Sequence, residues 1–228
     1  LIRRARGVDS AVDSVSTELR SHPGLMFDRA EWRRRARLRD RITPLLRQID
    51  GEAVPAAGRS RLWKARHPQV RVALKESDWQ LAYELSAPHG MSSGRDFAEA
   101  EWTAGWIALR HLDNPERALQ HFESLEKGVS TPISLSRAHY WKGRTLEAMN
   151  SEEEAQAAYA EAAQYRFSYY GQLAAEKAMQ GTIDLVTTAS ITDEDRANFQ
   201  SRSLVKAMRL FAENGWDASF RKFAYHLD

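Results

Sequence analysis

Glu76 and Ser77, in the stretch VALKESDWQLAY, come nearest in type and spacing to catalytic chemistry. A carboxylic acid followed by serine, with an aromatic two residues on, is the core composition of a glycan-cleaving site. There the carboxyl group would serve as a catalytic acid. The same residues have a second reading. Ser77-Asp78-Trp79-Gln80 has the Ser-x-x-Gln form of a capping box, in which the two side chains satisfy free backbone donors at a helix start. A helix DWQLAYELSA would begin there, and Glu76 would lie at its junction with the preceding VRVALK helix. The junction accounts for Glu76 without catalysis, so no catalytic residue is predicted.

Other reactive groups form no recognisable site. The histidines at 22, 67, 89, 111, 121, 139 and 226 are scattered, with no His-Glu-x-x-His element and no i, i+4 pair. No metal site or cofactor is therefore predicted. There is no phosphate loop and no Gly-x-Ser-x-Gly element. The absence of cysteine removes disulfides, zinc–thiolate sites and cysteine nucleophiles. Glu152-Glu153-Glu154 belongs in the first turn of a helix, where carboxylates favour the dipole. The aromatic residues are denser than expected. Trp102 and Trp106 form an i, i+4 pair that marks a helix core, and Tyr140 is expected beside them. Trp141 and Tyr169 also fit a core, but with Tyr170 they are the candidates for stacking against the C–H face of a sugar.

The elements that must position these residues are helices. Hydrophobic residues at 43% and charged residues at 28% describe an ordinary globular composition, and 228 residues are ample for a real core. No apolar run reaches the ~18 to 20 residues of a membrane span, and the start lacks the apolar stretch of a signal peptide. Alternating strand patterns do not occur. Asn114-Pro115 and Thr131-Pro132 each place a cap before a proline at the first helical position. Ser151 and Glu154 form a capping box. Pro68 is expected to start a helix or break one.

The helices come in related pairs. Gly105 corresponds to Gly143, and Ala118, Phe122 and Leu125 to Ala155, Tyr159 and Ala162, at separations of 37 to 38 residues. A weaker earlier copy places Ala82 and Ser86 36 residues before Ala118 and Phe122, and LVKAMRLFAENGWDASFRKFAYHL reads as a later, degenerate pair. Such a period predicts an all-α solenoid of stacked antiparallel helix pairs, tetratricopeptide-like, curved into a superhelix. PGLMFDRAEWRRRARLRD and RITPLLRQI are expected to form one further pair. The expected divisions are an N-terminal helical part at 1–59, the repeats at 60–180 and linker-like C-terminal helices at 181–228. Loops are expected at 50–60 and 181–195.

Net charge is +2, yet residues 1–75 hold 18 Lys/Arg against 8 Asp/Glu, and residues 76–228 hold 15 against 23. This imbalance suits an anion-binding face or two halves of an ordinary solvated surface. No aromatic-basic RNA signature or recognition helix accompanies it, so no nucleic-acid partner is predicted.

The segments DFAEAEW, AGWIALR, NPERALQHF, TPIS, YWKGR and YYGQLAAEKA occur in an order that resembles the α-superhelical region of soluble lytic murein transglycosylases. The resemblance covers roughly residues 60–215, and PGLMFDRAEW fits more loosely. It implies a periplasmic protein in which a superhelix grips peptidoglycan strands and precedes a lysozyme-like domain. That domain would cleave MurNAc–GlcNAc bonds to 1,6-anhydro products with a single Glu and no metal. In the family the catalytic Glu-Ser is followed by Gly-Leu-Met-Gln. Here Gly24-Leu25-Met26-Phe27 lies upstream of Glu76, and Phe27 replaces Gln. Only about 50 residues follow YYGQLAAEKA, too few for a domain of ~150. The chain is therefore expected to be a positioning arm, inactive alone. Peptidoglycan carries carboxylates, so Arg33, Arg34, Arg35, Arg37 and Arg39 join Trp141, Tyr169 and Tyr170 as candidate glycan contacts. The alternative is a tetratricopeptide-type scaffold binding another cell-wall protein.

Overall fold

The structure is a computed structural model that describes residues 7–38, 41–178 and 191–225. Among these the fold is all-α, with fourteen helices and no strand. No helix among them is long and apolar enough to cross a membrane. The chain clusters into two compact units, Leu1–Ile183 and Asp184–Asp228.

The first unit begins with α1 (Val8–Asp13), α2 (Thr17–Arg20), α3 (Pro23–Arg35) and α4 (Thr43–Arg47). Next come α5 (Ala56–Lys75), α6 (Trp79–Ser86), α7 (Arg95–His111) and α8 (Pro115–Gly128). The unit continues with α9 (Pro132–Ala148), α10 (Glu152–Ala163) and α11 (Tyr169–Ala178). From α5 onward each helix packs on its chain neighbours, α5 on α6, α6 on α7, and so to α10 on α11. The division expected at 59/60 falls inside α5, which runs unbroken across it.

The pairs α5–α6, α7–α8 and α9–α10 share one turn. Ser77, Asp113 and Asn150, spaced 36 and 37 residues apart, all take left-handed backbone with φ of 59°, 48° and 59°. The residue after each begins the next helix, and its N–H reaches back over the end of the last one. Asp78 donates to Ala73 at 2.9 Å, Asn114 to Ala108 at 3.0 Å and Ser151 to Leu146 at 2.9 Å. These bonds satisfy carbonyls that the helix end leaves free.

Glu76 is the C-cap of α5 and is exposed, as the junction reading required. The cap of α6 is one residue later than expected. Asp78, not Ser77, accepts from the N–H of Leu81 at 3.1 Å, because Ser77 is already used as the left-handed residue that closes α5. Ser151 stands at the N-cap of α10 but makes no side-chain cap bond. Asn114 and Thr131 do cap α8 and α9, each before its proline.

Pro68 neither starts nor breaks a helix. It lies inside α5, where the lost backbone bond is offset by burial of Leu62, Trp63, Arg66, Val70 and Ala73 on both sides of it.

The core of the repeated part depends on two glycines. A Cβ on Gly105 would lie 2.8 Å from the Phe122 ring, and one on Gly143 would lie 2.7 Å from the Tyr159 ring. Each glycine lets a large aromatic of the second helix sit against the backbone of the first. Ala118, Phe122 and Leu125 are fully buried on one stripe of α8, as are Ala155, Tyr159 and Ala162 on α10.

The second unit has α12 (Asp193–Ser201), α13 (Ser203–Glu213) and α14 (Asp217–Ala224). Helices α13 and α14 form the late pair expected from the sequence, turning at Gly215 with φ of 70°. Most of the loop expected at 181–195 lies outside the described residues.

Candidate functional site

Two features of the first unit gather most of the predicted residues, and they are built from different helices. One is an aromatic band across α7, α9 and α11. Trp102 and Trp106, one turn apart on α7, have ring centroids 6.2 Å apart. Trp141 of α9 meets Trp102 edge-on at 6.3 Å and stacks on Phe122 at 6.0 Å. Tyr170, in the first turn of α11, meets Trp141 at 6.5 Å, and Tyr169 meets Tyr170 at 5.2 Å. The series extends past Trp106 through His111 at 4.8 Å to Trp79, which stacks on His111 at 3.6 Å. Burial and the neighbouring Arg110 push the His111 pKa below its ordinary value, so the ring stays neutral between its indoles.

This band is less buried than a core. Tyr140 is buried, whereas Trp102, Trp106, Trp141 and Tyr170 are half-buried and Tyr169 is 69% exposed. The indole N–H groups of Trp102 and Trp141 are buried without a hydrogen-bond partner, pointing away from solvent. The Arg137 guanidinium lies over the Trp102 ring at 5.4 Å and donates to the carbonyl of Ala98 at 3.2 Å. The partly exposed flat faces of these rings suit a ligand that offers C–H groups on the face of a ring.

The second feature is an open groove of ≈ 1020 Å³ walled by α3, α4 and α5. Arg34, Arg35 and Arg37 line it from the end of α3, and Arg61 and Lys64 from α5. Glu31 holds Arg34 through two bonds, of 3.0 and 2.9 Å, and lies 3.9 Å from Arg35. The Arg34 bonds keep the Glu31 carboxyl below its usual range. Arg33 belongs elsewhere. Its side chain is nearly buried, bonded to Asp9 at 3.0 Å and to the carbonyl of Arg41 at 2.8 Å, so it fastens α1 and the α4 approach to α3. Arg39 lies outside the described residues. The sequence reading missed Arg61 and Lys64. Their i, i+3 spacing on the helix that carries Pro68 was the available signal.

A third cluster was also missed. Glu101 of α7 is 8% exposed and receives His121 Nδ1 at 2.5 Å and His89 Nε2 at 3.2 Å. The Tyr83 hydroxyl lies 3.0 Å from His121 Nε2, and the Met91 N–H donates to His89 Nδ1 at 3.0 Å. These bonds set the tautomers: His121 carries its proton on Nδ1 and accepts from Tyr83, and His89 carries its own on Nε2. Burial alone would raise the Glu101 pKa, but the two imidazole donors outweigh it and leave the carboxyl below its ordinary value. Both carboxylate oxygens are engaged within the fold. The relay joins α6, the loop before α7, α7 and α8. Among the described residues no group of three His, Asp or Glu side chains could hold a metal ion.

Comparison of the chain with protein-family models, curated proteins and solved structures found no match.

Proposed function

We propose that the chain is a non-catalytic positioning arm for peptidoglycan glycan strands in the periplasm, the α-superhelical part of a lytic transglycosylase-like protein. The aromatic band carries this reading. It crosses three successive first helices of the stacked pairs, so a linear ligand could follow it from Trp106 to Tyr169 without leaving the surface. A single sugar would need one ring; a strand needs a series. The shared turns at Ser77, Asp113 and Asn150 support the finer architecture, since equal units stacked by equal turns generate a superhelix. In this reading Trp141, Tyr169 and Tyr170 stack on sugars, and Arg34, Arg35 and Arg37 meet carboxylates beside the strand.

Isolated sacculi mixed with the chain test the reading. The chain should pellet with them and release no 1,6-anhydro products. Tyr169→Ala should lower the pelleted fraction with little effect on folding, because that ring is mostly exposed. A wild-type chain that stays in the supernatant sinks the proposal. Product release that vanishes in Glu76→Gln would overturn the structural role of Glu76.

One observation favours a second reading, a scaffold for a protein partner. In the second unit Leu210, Trp216 and Tyr225 are 58%, 58% and 85% exposed. Binding to a cell-wall protein without binding to sacculi would select that reading.

A further inference from the structure

We propose that the groove between α3, α4 and α5 is a binding site for a short acidic peptide. This goes beyond the glycan reading, since it gives the groove its own ligand class and does not require the aromatic band to bind sugar.

The groove combines two kinds of group. The first is positive charge in excess: Arg34, Arg35, Arg37, Arg61 and Lys64 against Glu31 and Glu76. Arg34 is held by Glu31, and Lys64 lies 3.3 Å from Asp96. Arg37 and Arg61 make no ion pair with a described carboxylate, and the Arg61 guanidinium lies over the Phe27 ring at 5.0 Å. An arginine pre-set on an aromatic face is ready to take a carboxylate through two parallel bonds.

The second is apolar surface. Phe27, Ala65 and Val72 line the groove, and Val72 is 49% exposed.

Together these groups select against a dense polyanion. Nucleic acid binds through several cations that together neutralise its phosphates. Here two carboxylates sit in the wall and the apolar surface would face phosphate. A peptide with small apolar side chains and one or two carboxylates satisfies both kinds at once, and the volume is at the upper end of small-ligand sites.

The test is isothermal titration of the full chain with the tetrapeptide acetyl-Ala-Glu-Ala-Ala bearing a free C-terminal carboxylate. Its Gln-containing, C-terminally amidated counterpart is the neutral control. The acidic peptide should bind saturably and the neutral one should not. Arg37→Gln and Arg61→Gln should each weaken binding about tenfold, the loss of one charge-assisted bond. Equal binding of the neutral peptide, no saturable binding, or groove variants with unchanged affinity would each overturn the proposal. So would a single-stranded oligonucleotide that binds more tightly than the peptide. No glycan enters this titration, so its failure is separate from that of the sacculus assay.

Discussion

The N-terminal part of the first unit and its repeated middle are both packed helices, but they are held together by different physics. Between α7 and α10 the joints are apolar and geometric: Gly105 receives Phe122, and Gly143 receives Tyr159. Between α3 and α5 an apolar core that includes Met26, Ala30, Leu46, Leu62 and Trp63 is supplemented by a polar fastener. Arg66, fully buried, donates to the carbonyls of Leu46 at 3.1 and 2.9 Å, of Pro88 at 2.6 Å and of Ile49. One guanidinium thus satisfies the end of α4 and ties it to the loop after α6. Desolvation lowers the Arg66 pKa to about 10, which leaves it charged at neutral pH. A repeated joint can be copied from unit to unit, whereas a polar fastener serves one place only. The irregular part is also where the basic groove opens.

Arg66 offers the largest expected effect. Arg66→Met keeps the volume and removes every donor, leaving several buried carbonyls unpaired. It should lower stability by about 3–5 kcal/mol in denaturant unfolding. A loss under about 1 kcal/mol would mean that apolar packing, not the guanidinium, fixes α4, and the contrast between the regions would fail.

The glycine joints come next. Gly105→Ala and Gly143→Ala place a methyl group against an aromatic ring, and overpacking of this kind costs about 1–3 kcal/mol. The two variants should resemble each other, because the joints are copies. Combining Gly105→Ala with Phe122→Leu should recover part of the loss, since the smaller side chain makes room. Additive losses would show that the glycine and the ring do not share one joint.

These joints explain what was legible in the sequence. Gly105, Gly143 and the stripes opposite them recur at a fixed separation, so self-comparison reveals both the repeat and the buried face. The turns were harder to read. Ser77, Asp113 and Asn150 share a backbone conformation but not a residue type, and Ser is poorly suited to left-handed backbone. That is why the cap at Asp78 was placed one residue early. Arg33 and Arg34 are adjacent in the Arg-rich run, yet helical geometry sends one to Asp9 and the other to the groove. A charge count does not carry that division. The groove needed α5 to be known as one helix through Pro68, and the Glu101 relay draws four residues from separate elements with no shared spacing.

That relay sits where the two regions meet, and it gives the smallest and most selective test. Glu101 is charged in the fold with its pKa held below the ordinary 4.5. A depressed carboxylate pKa contributes stability that is present above 4.5 and is lost as the pH falls through the folded value. Glu101→Gln cannot carry the charge and cannot accept from both imidazoles. Its unfolding free energy should therefore fall below that of the wild type at neutral pH. The gap should narrow as the pH is lowered past 4.5, because the wild type then loses the same contribution. A gap that stays constant across that range would assign the loss to packing alone. In that case the seam between the two regions would be held by shape, as the repeated joints are, and not by the charge of Glu101.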